Sequence, residues 1–268
     1  MAAVLGIDAA WTAKNASGYA LIGKSGGAWR LRAAAPDLCA FARKCRLDGA
    51  GPGMDGAIAC AKNLLGRLPD LIAVDMPLSK QQITGRRASD IGVSRRFGAA
   101  KCATHSPSAE RPGKVSGAFR AACEKAGYAL VVSAGALPAL SLAEVYPHPA
   151  LLRLMRAGER VPYKTGKTKI YWPLASCDER LARVTRSLGA IVDALESHIA
   201  GVARETAPLF AAAENFAGLK PAEDMIDAIV CAWIGTTILA GEAEPIGDAD
   251  SAIWIPDPLK PTLLAGAA

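Results

Sequence analysis

The 268-residue sequence is poor in aromatics, which make up 6% of it, and it has only three histidines. Scarce Phe, Trp and Tyr leave little for stacking bases, so nucleic-acid recognition is expected to rest mainly on backbone and shape. There are seven cysteines, an odd number, and no two stand as C-x-x-C. Neither a disulfide framework nor a zinc site follows. Cys60, Cys123 and Cys231 lie in Ala-rich helical stretches and read as small core residues, and reduced thiols fit a cytoplasmic location. The opening "MAAVLGIDAAW" has no basic n-region and carries an acid at position 8, which is not the pattern of a signal peptide. The apolar run "MIDAIVCAWIGTTILAG" is interrupted by Asp227, so it reads as a buried helix and not as a membrane span. "YKTGKTK", residues 163–169, lacks the spacing of a phosphate-binding P-loop. Internal repeats and low-complexity linkers are missing too. The expectation is one cytoplasmic domain over residues 1–268, without a membrane partner. Nothing fixes its oligomeric state, and a homodimer is allowed.

What is present is apolar residue and localised charge. Hydrophobic residues are 51% of the chain, ample for a core and incompatible with general disorder. The net charge is +6, and residues 86–125 hold nine bases against three acids, enough to supply all of it. A basic patch so concentrated points to a polyanion, usually nucleic acid. A solubilising surface segment is the plainer alternative.

The order of elements is legible in outline. "VLGIDAAW", "YALIG" and "AWRLRAAA" read as three strands, joined by the turn "TAKNASG" and the hairpin "KSGG", and make an antiparallel meander. Helical spacing follows over residues 52–68, then "PDLIAVDMPLS", an apolar run of the kind that forms a strand covered on both faces. Residues 80–114 are basic, rich in Ser and Gly and weakly periodic, which predicts an inserted loop or lid. "VSGAFRAACEKAGY" reads as a helix, "LSLAEVYPHPALL" as a strand broken by prolines, "PALLRLMRAG" as a short helix, and residues 176–205 as helical. A last strong helix is predicted from about Pro221 to Gly241, with Glu223 and Asp224 in its first turn. "AIWIPDP" closes as a strand. A meander feeding parallel strands implies a mixed α/β sheet flanked by helices.

Asp8 and Asp75 each end an apolar strand, the position that faces the ligand crevice of open α/β sheets. Glu144 lies on a third such strand, and Asp224 and Asp227 are three residues apart on one side of a helix. Taken singly, each has a structural use: a turn cap for Asp8 or Asp75, a partner such as Arg153 for Glu144, a helix N-terminal acid for Asp224. Together they would repel unless a cation joined them. Hard oxygen ligands without a His or Cys set suit Mg2+ or Mn2+, and a pair of such ions could cleave a phosphodiester.

The ordered set "GIDAAW", "VDMP", "GRRASDIGVSRRFG", "THSP", "EVYPHPAL" and "D-x-x-D-A" spans nearly the whole chain. It resembles the RNase H-like superfamily and, within it, the predicted-nuclease family catalogued as domain of unknown function 429. That resemblance implies a metal-dependent nuclease with an RNase H-like fold. It implies Asp8, Asp75, Asp224 and Asp227 as metal ligands, with Asp8 shared between two ions, and Glu144 as an extra ligand or water-orienting base. The helix after the meander offers only Asp55, so the second acid is expected at Asp75. The two Arg-Arg pairs, Arg86–Arg87 and Arg95–Arg96, together with Lys101, are expected to hold substrate phosphates bidentately or as point charges. Asp90 between them could instead order the segment through ion pairs. His105 is a candidate proton donor to the leaving group, and His148 is a second histidine of similar standing. Two rival functions are a phosphotransferase on a small phosphorylated substrate, with the related actin-like ATPase fold, and a nucleic-acid-binding module without turnover.

Overall fold

The computed structural model describes residues 2–12 and 16–257. Part of the expected turn "TAKNASG" lies outside the described residues. The strands are β1 (Ala3–Asp8), β2 (Gly18–Ser25), β3 (Ala28–Ala35), β4 (Leu71–Asp75), β5 (Ala129–Leu130), β6 (Ser141–Val145), β7 (Ile199–Ala200), β8 (Ala243–Gly247) and β9 (Ala252–Pro256). They form one mixed sheet in the order β7-β3-β2-β1-β4-β6-β9-β8, with β5 alongside β6. The meander β1–β2–β3 is antiparallel, as its short turns require. β4, β6 and β9 continue parallel to β1, and β8 returns antiparallel at the edge.

The helices are α1 (Leu38–Lys44), α2 (Gly53–Leu65), α3 (Ala88–Phe97), α4 (Gly113–Lys125), α5 (Pro147–Leu154), α6 (Thr168–Tyr171), α7 (Cys177–Glu196), α8 (Val202–Ala211) and α9 (Phe216–Leu239). Side chains alternate across each strand and so divide between two cores. Val4, Leu71, Ala73, Ala143 and Val145 face α5, α7 and α9. Leu5, Ile7, Ile72, Val74 and Leu142 face α1, α2 and α4.

Three segments differ from the sequence reading. Residues 80–114 are not all loop, because 88–97 form α3. Its Val93 and Phe97, one turn apart, bury against Tyr146, Ile253 and Ile255 in a third small core. The stretch 176–205 is broken after Glu196 by β7 before α8 begins. In "EVYPHPALL" the first proline starts helix α5, where its missing N–H costs nothing.

The last helix also starts earlier than expected. Asn215 caps it by accepting the Gly218 N–H at 2.9 Å, so Glu223 and Asp224 sit in its body and not in its first turn. Helix α9 lies directly on the sheet because two glycines let its backbone approach. A Cβ on Gly6 would stand 2.3 Å from the Ala228 carbonyl oxygen, and one on Gly18 would stand 2.2 Å from that of Asp224. Gly18 is the register partner of Asp8. The close approach therefore lowers the acidic stretch of α9 onto the end of β1.

Candidate active site

Register brings the two strand-end acids together. Asp8 pairs with Asp75 across the parallel β1–β4 ladder, where adjacent strands lie about 4.8 Å apart. By alternation Asp8 shares its face with Val4 and Gly6, and Asp75 with Leu71 and Ala73, so both point toward α9. Both are half-buried, and neither carboxylate has a hydrogen bond or ion pair among the described residues. Burial, then the nearby Asp227 charge, pushes Asp8 up to about 7. Burial and then Asp8 raise Asp75 well above the usual carboxylate range. Lys164 pulls both the other way but does not overcome burial and the neighbouring acids.

The acids of α9 are held differently. Asp227 is fully buried; the Tyr163 hydroxyl donates to it at 2.7 Å, and the Lys164 ammonium pairs with it. One turn earlier, Glu223 accepts the Thr165 N–H at 2.7 Å and a Lys220 ammonium hydrogen at 2.9 Å. Residues 163–165 thus clamp two acids four positions apart on one helix face. Burial pushes Glu223 up, but Lys164 and Lys220 outweigh it and hold its carboxyl below the usual range. Burial likewise disfavours the Lys164 cation, yet Asp227 overcomes it and raises that group far above an ordinary lysine. Asp224 pairs with Lys220, while burial, the larger influence, keeps its carboxyl raised.

Glu144 lines the same cavity as Asp75 but leaves its strand on the other face. Its register partner is Val74 and its strand neighbour of like parity is Leu142, so its side chain leaves the sheet on the opposite face. There it accepts the Leu78 N–H at 2.7 Å and pairs with Arg87 at 2.5 Å. Arg87 also pairs with Asp90 at 2.8 Å, and all three side chains are almost fully buried. Arg153, the partner weighed from sequence, lies over the Phe97 ring instead. Burial pushes Glu144 up to about 7 against the pull of Arg87.

Most of the bases expected to hold phosphate are engaged elsewhere. Arg87 is committed to Glu144 and Asp90. Arg86 donates to the Asp90 carbonyl and the Ser94 hydroxyl. Arg96 pairs with Glu244, and Lys101 with Glu159. Arg95 is exposed on α3. Of the basic group named from sequence, only His105 faces the central cavity.

That cavity has a volume of about 400 Å3 and opens beside Asp75. Its cations are Arg160, Lys164, Lys167 and Lys220, which sequence reasoning did not assign a role. A neighbouring cavity on the Asp8 side shares Trp11, Lys164 and Lys220 with it. The missed signal was the second basic stretch, "ERVPYKTGKTKIYWP". Burial, then Lys167 and Arg160, lowers His105, so it is unprotonated at neutral pH.

Among the described residues no three His, Cys, Asp or Glu side chains are grouped as they would be to cage an ion. The Asp8–Asp75 pair nevertheless fits Mg2+ or Mn2+. Magnesium is typically bound through one or two carboxylates, with water and substrate phosphate completing its shell. Asp227 is a poorer candidate because Tyr163 and Lys164 already occupy its two oxygens.

Residues 6–252 match the family described as protein of unknown function (DUF429). The match covers most of the chain, which therefore belongs to that family, as the motif order suggested. Neither the search of curated proteins nor that of solved structures returned a match. No helix among the described residues is long and apolar enough to cross a membrane.

Proposed function

We propose that this protein is a divalent-metal-dependent phosphodiester hydrolase acting on nucleic acid, with its ion held by Asp8 and Asp75. The observation that carries this reading is the register pair of strand-end carboxylates, which have no ion pair of their own among the described residues while the other acids of the site each have one. The strand sequence β3-β2-β1-β4-β6, with acids on both central strands and a third on the C-terminal helix, supports an RNase H-like fold. A bound ion would supply Lewis acidity toward a phosphoryl oxygen and lower the pKa of a bound water.

The remaining work falls to the chain's own side chains. Lys164, fixed on Asp227, keeps a positive charge where a second ion would otherwise be needed. Arg160 and Lys167, lining the same cavity, offer donors to phosphate oxygens. His105 is neutral at pH 7 and can accept a proton at a ring nitrogen, which fits a base for the attacking water better than an acid for the leaving group. Arg87 fixes Glu144 and the start of α3, and so shapes the cavity wall.

The test is incubation with labelled DNA and RNA in Mg2+ or Mn2+. Cleavage by the wild type that falls to background in Asp75→Asn supports the proposal. Binding of nucleic acid without any turnover, unaffected by Asp75→Asn, would favour the binding module instead.

A further inference from the structure

Asp90 and Glu144 on the cavity wall pair with Arg87, and Glu223 with Lys164 and Lys220. Among the described residues Asp75 has no ion pair, and neither Arg160 nor Lys167, which line the same cavity, has a carboxylate partner. Burial, and after it the neighbouring Arg160 and Lys164 charges, lowers the Lys167 ammonium.

A buried histidine completes the basic wall. His148 is 8% exposed, and its Nε2 accepts from the Arg160 guanidinium. Its proton therefore sits on Nδ1, which is buried and has no hydrogen-bond partner. An unpaired buried donor is costly and rare in native proteins. An indole lines the same cavity: Trp11 meets His105 edge-on at 6.2 Å between ring centroids. The volume of about 400 Å3 is in the range of small-molecule sites. A volume of this size holds about one nucleotide.

We infer that this cavity binds a single nucleoside monophosphate unit, its phosphate between Arg160 and Lys167 and its base against Trp11. The unit is either a free nucleotide or the end of a strand. This rests on the proposed phosphodiester chemistry for its purpose, though not for the binding itself. It makes the substrate terminal or monomeric, and excludes the interior of a continuous strand.

Calorimetry on the full chain in EDTA, with adenosine 5′-monophosphate and then inorganic phosphate, separates the binding from the metal chemistry. One nucleotide should bind per chain, and Lys167→Gln should weaken both ligands by about tenfold. Trp11→Ala should weaken the nucleotide and leave phosphate unchanged. A linear single-stranded oligonucleotide should displace the nucleotide, whereas its covalently closed circle should not. Displacement by the linear strand together with strong nucleotide binding would make the strand end the source. Displacement by neither would make it a free nucleotide.

No nucleotide binding, binding indifferent to Lys167→Gln and Trp11→Ala, or equal competition by the circle would overturn the inference. Binding as described in a chain that cleaves nothing with Mg2+ or Mn2+ would leave it intact and remove the hydrolase reading alone.

Discussion

The carboxylates around this site fall into two groups that differ in what neutralises them. Glu144, Glu223 and Asp227 each have a cation built into the fold, Arg87 for the first and Lys164 or Lys220 for the others. Asp8 and Asp75 have no ion pair of their own among the described residues and feel Lys164 only at longer range. A buried carboxyl without a partner takes up a proton more readily, and both are raised accordingly. The contrast separates acids whose charge the fold compensates directly from acids whose charge it leaves costly. An acid count alone, which treats all five alike, misses this.

The largest effect should come from breaking a paired acid. Arg87→Met strands Glu144 and Asp90 in the interior, and chemical denaturation should show a loss of about 3–5 kcal/mol. Next, Gly6→Ala forces α9 off β1 and should cost about 1–3 kcal/mol. It should also weaken ion binding, because it displaces the helix that covers the strand-end pair. A normal melting curve for that variant would mean that α9 tolerates a wider separation from the sheet than its backbone contact implies.

The unpaired acids should respond with the opposite sign. The folded-state pKa of Asp8, about 7, lies above its ordinary value of 3.8. Its destabilising contribution is therefore absent below about pH 4, grows as pH rises, and is complete above about pH 7. In EDTA, Asp8→Asn should be more stable than wild type at pH 8, with the gap closing at pH 4. Saturating Mg2+ should reverse the order, since only the wild type gains from the ion. The smallest effect belongs to the exposed pair Arg96–Glu244: Arg96→Ala should stay within about 0.5 kcal/mol of wild type by thermal melting.

The comparison also explains what could be read from sequence. The long apolar runs at β1, β2, β3, β4 and β9 announced themselves, as did the apolar spacing of α2 and α4. Strand-end placement made Asp8 and Asp75 visible, because that position follows from where each run stops. The face taken by Glu144 was not visible, because it depends on a one-residue register between β4 and β6 that no local pattern encodes. Helix α3 was hidden because few of its positions are apolar, and Val93 and Phe97 alone make too weak a stripe. The start of α9 was misplaced because Pro221 looks like a first-turn residue, while the capping Asn215 lies in a polar stretch.

Charge density proved a poor guide to the basic wall. Arg87 stands in the densest basic segment and is spent on Glu144 and Asp90, whereas the sparser Arg160, Lys164 and Lys167 line the cavity. Only the tertiary partners distinguish the two segments.

The central claim is that Asp8 and Asp75 together form the ion site. Calorimetric titration of Mn2+ into the wild type and into Asp8→Asn/Asp75→Asn tests it most directly. Saturable binding in the wild type, absent from the double variant while its melting curve stays cooperative, is the result expected. Binding that survives the double variant, or no binding in the wild type even with an oligonucleotide present, would contradict it.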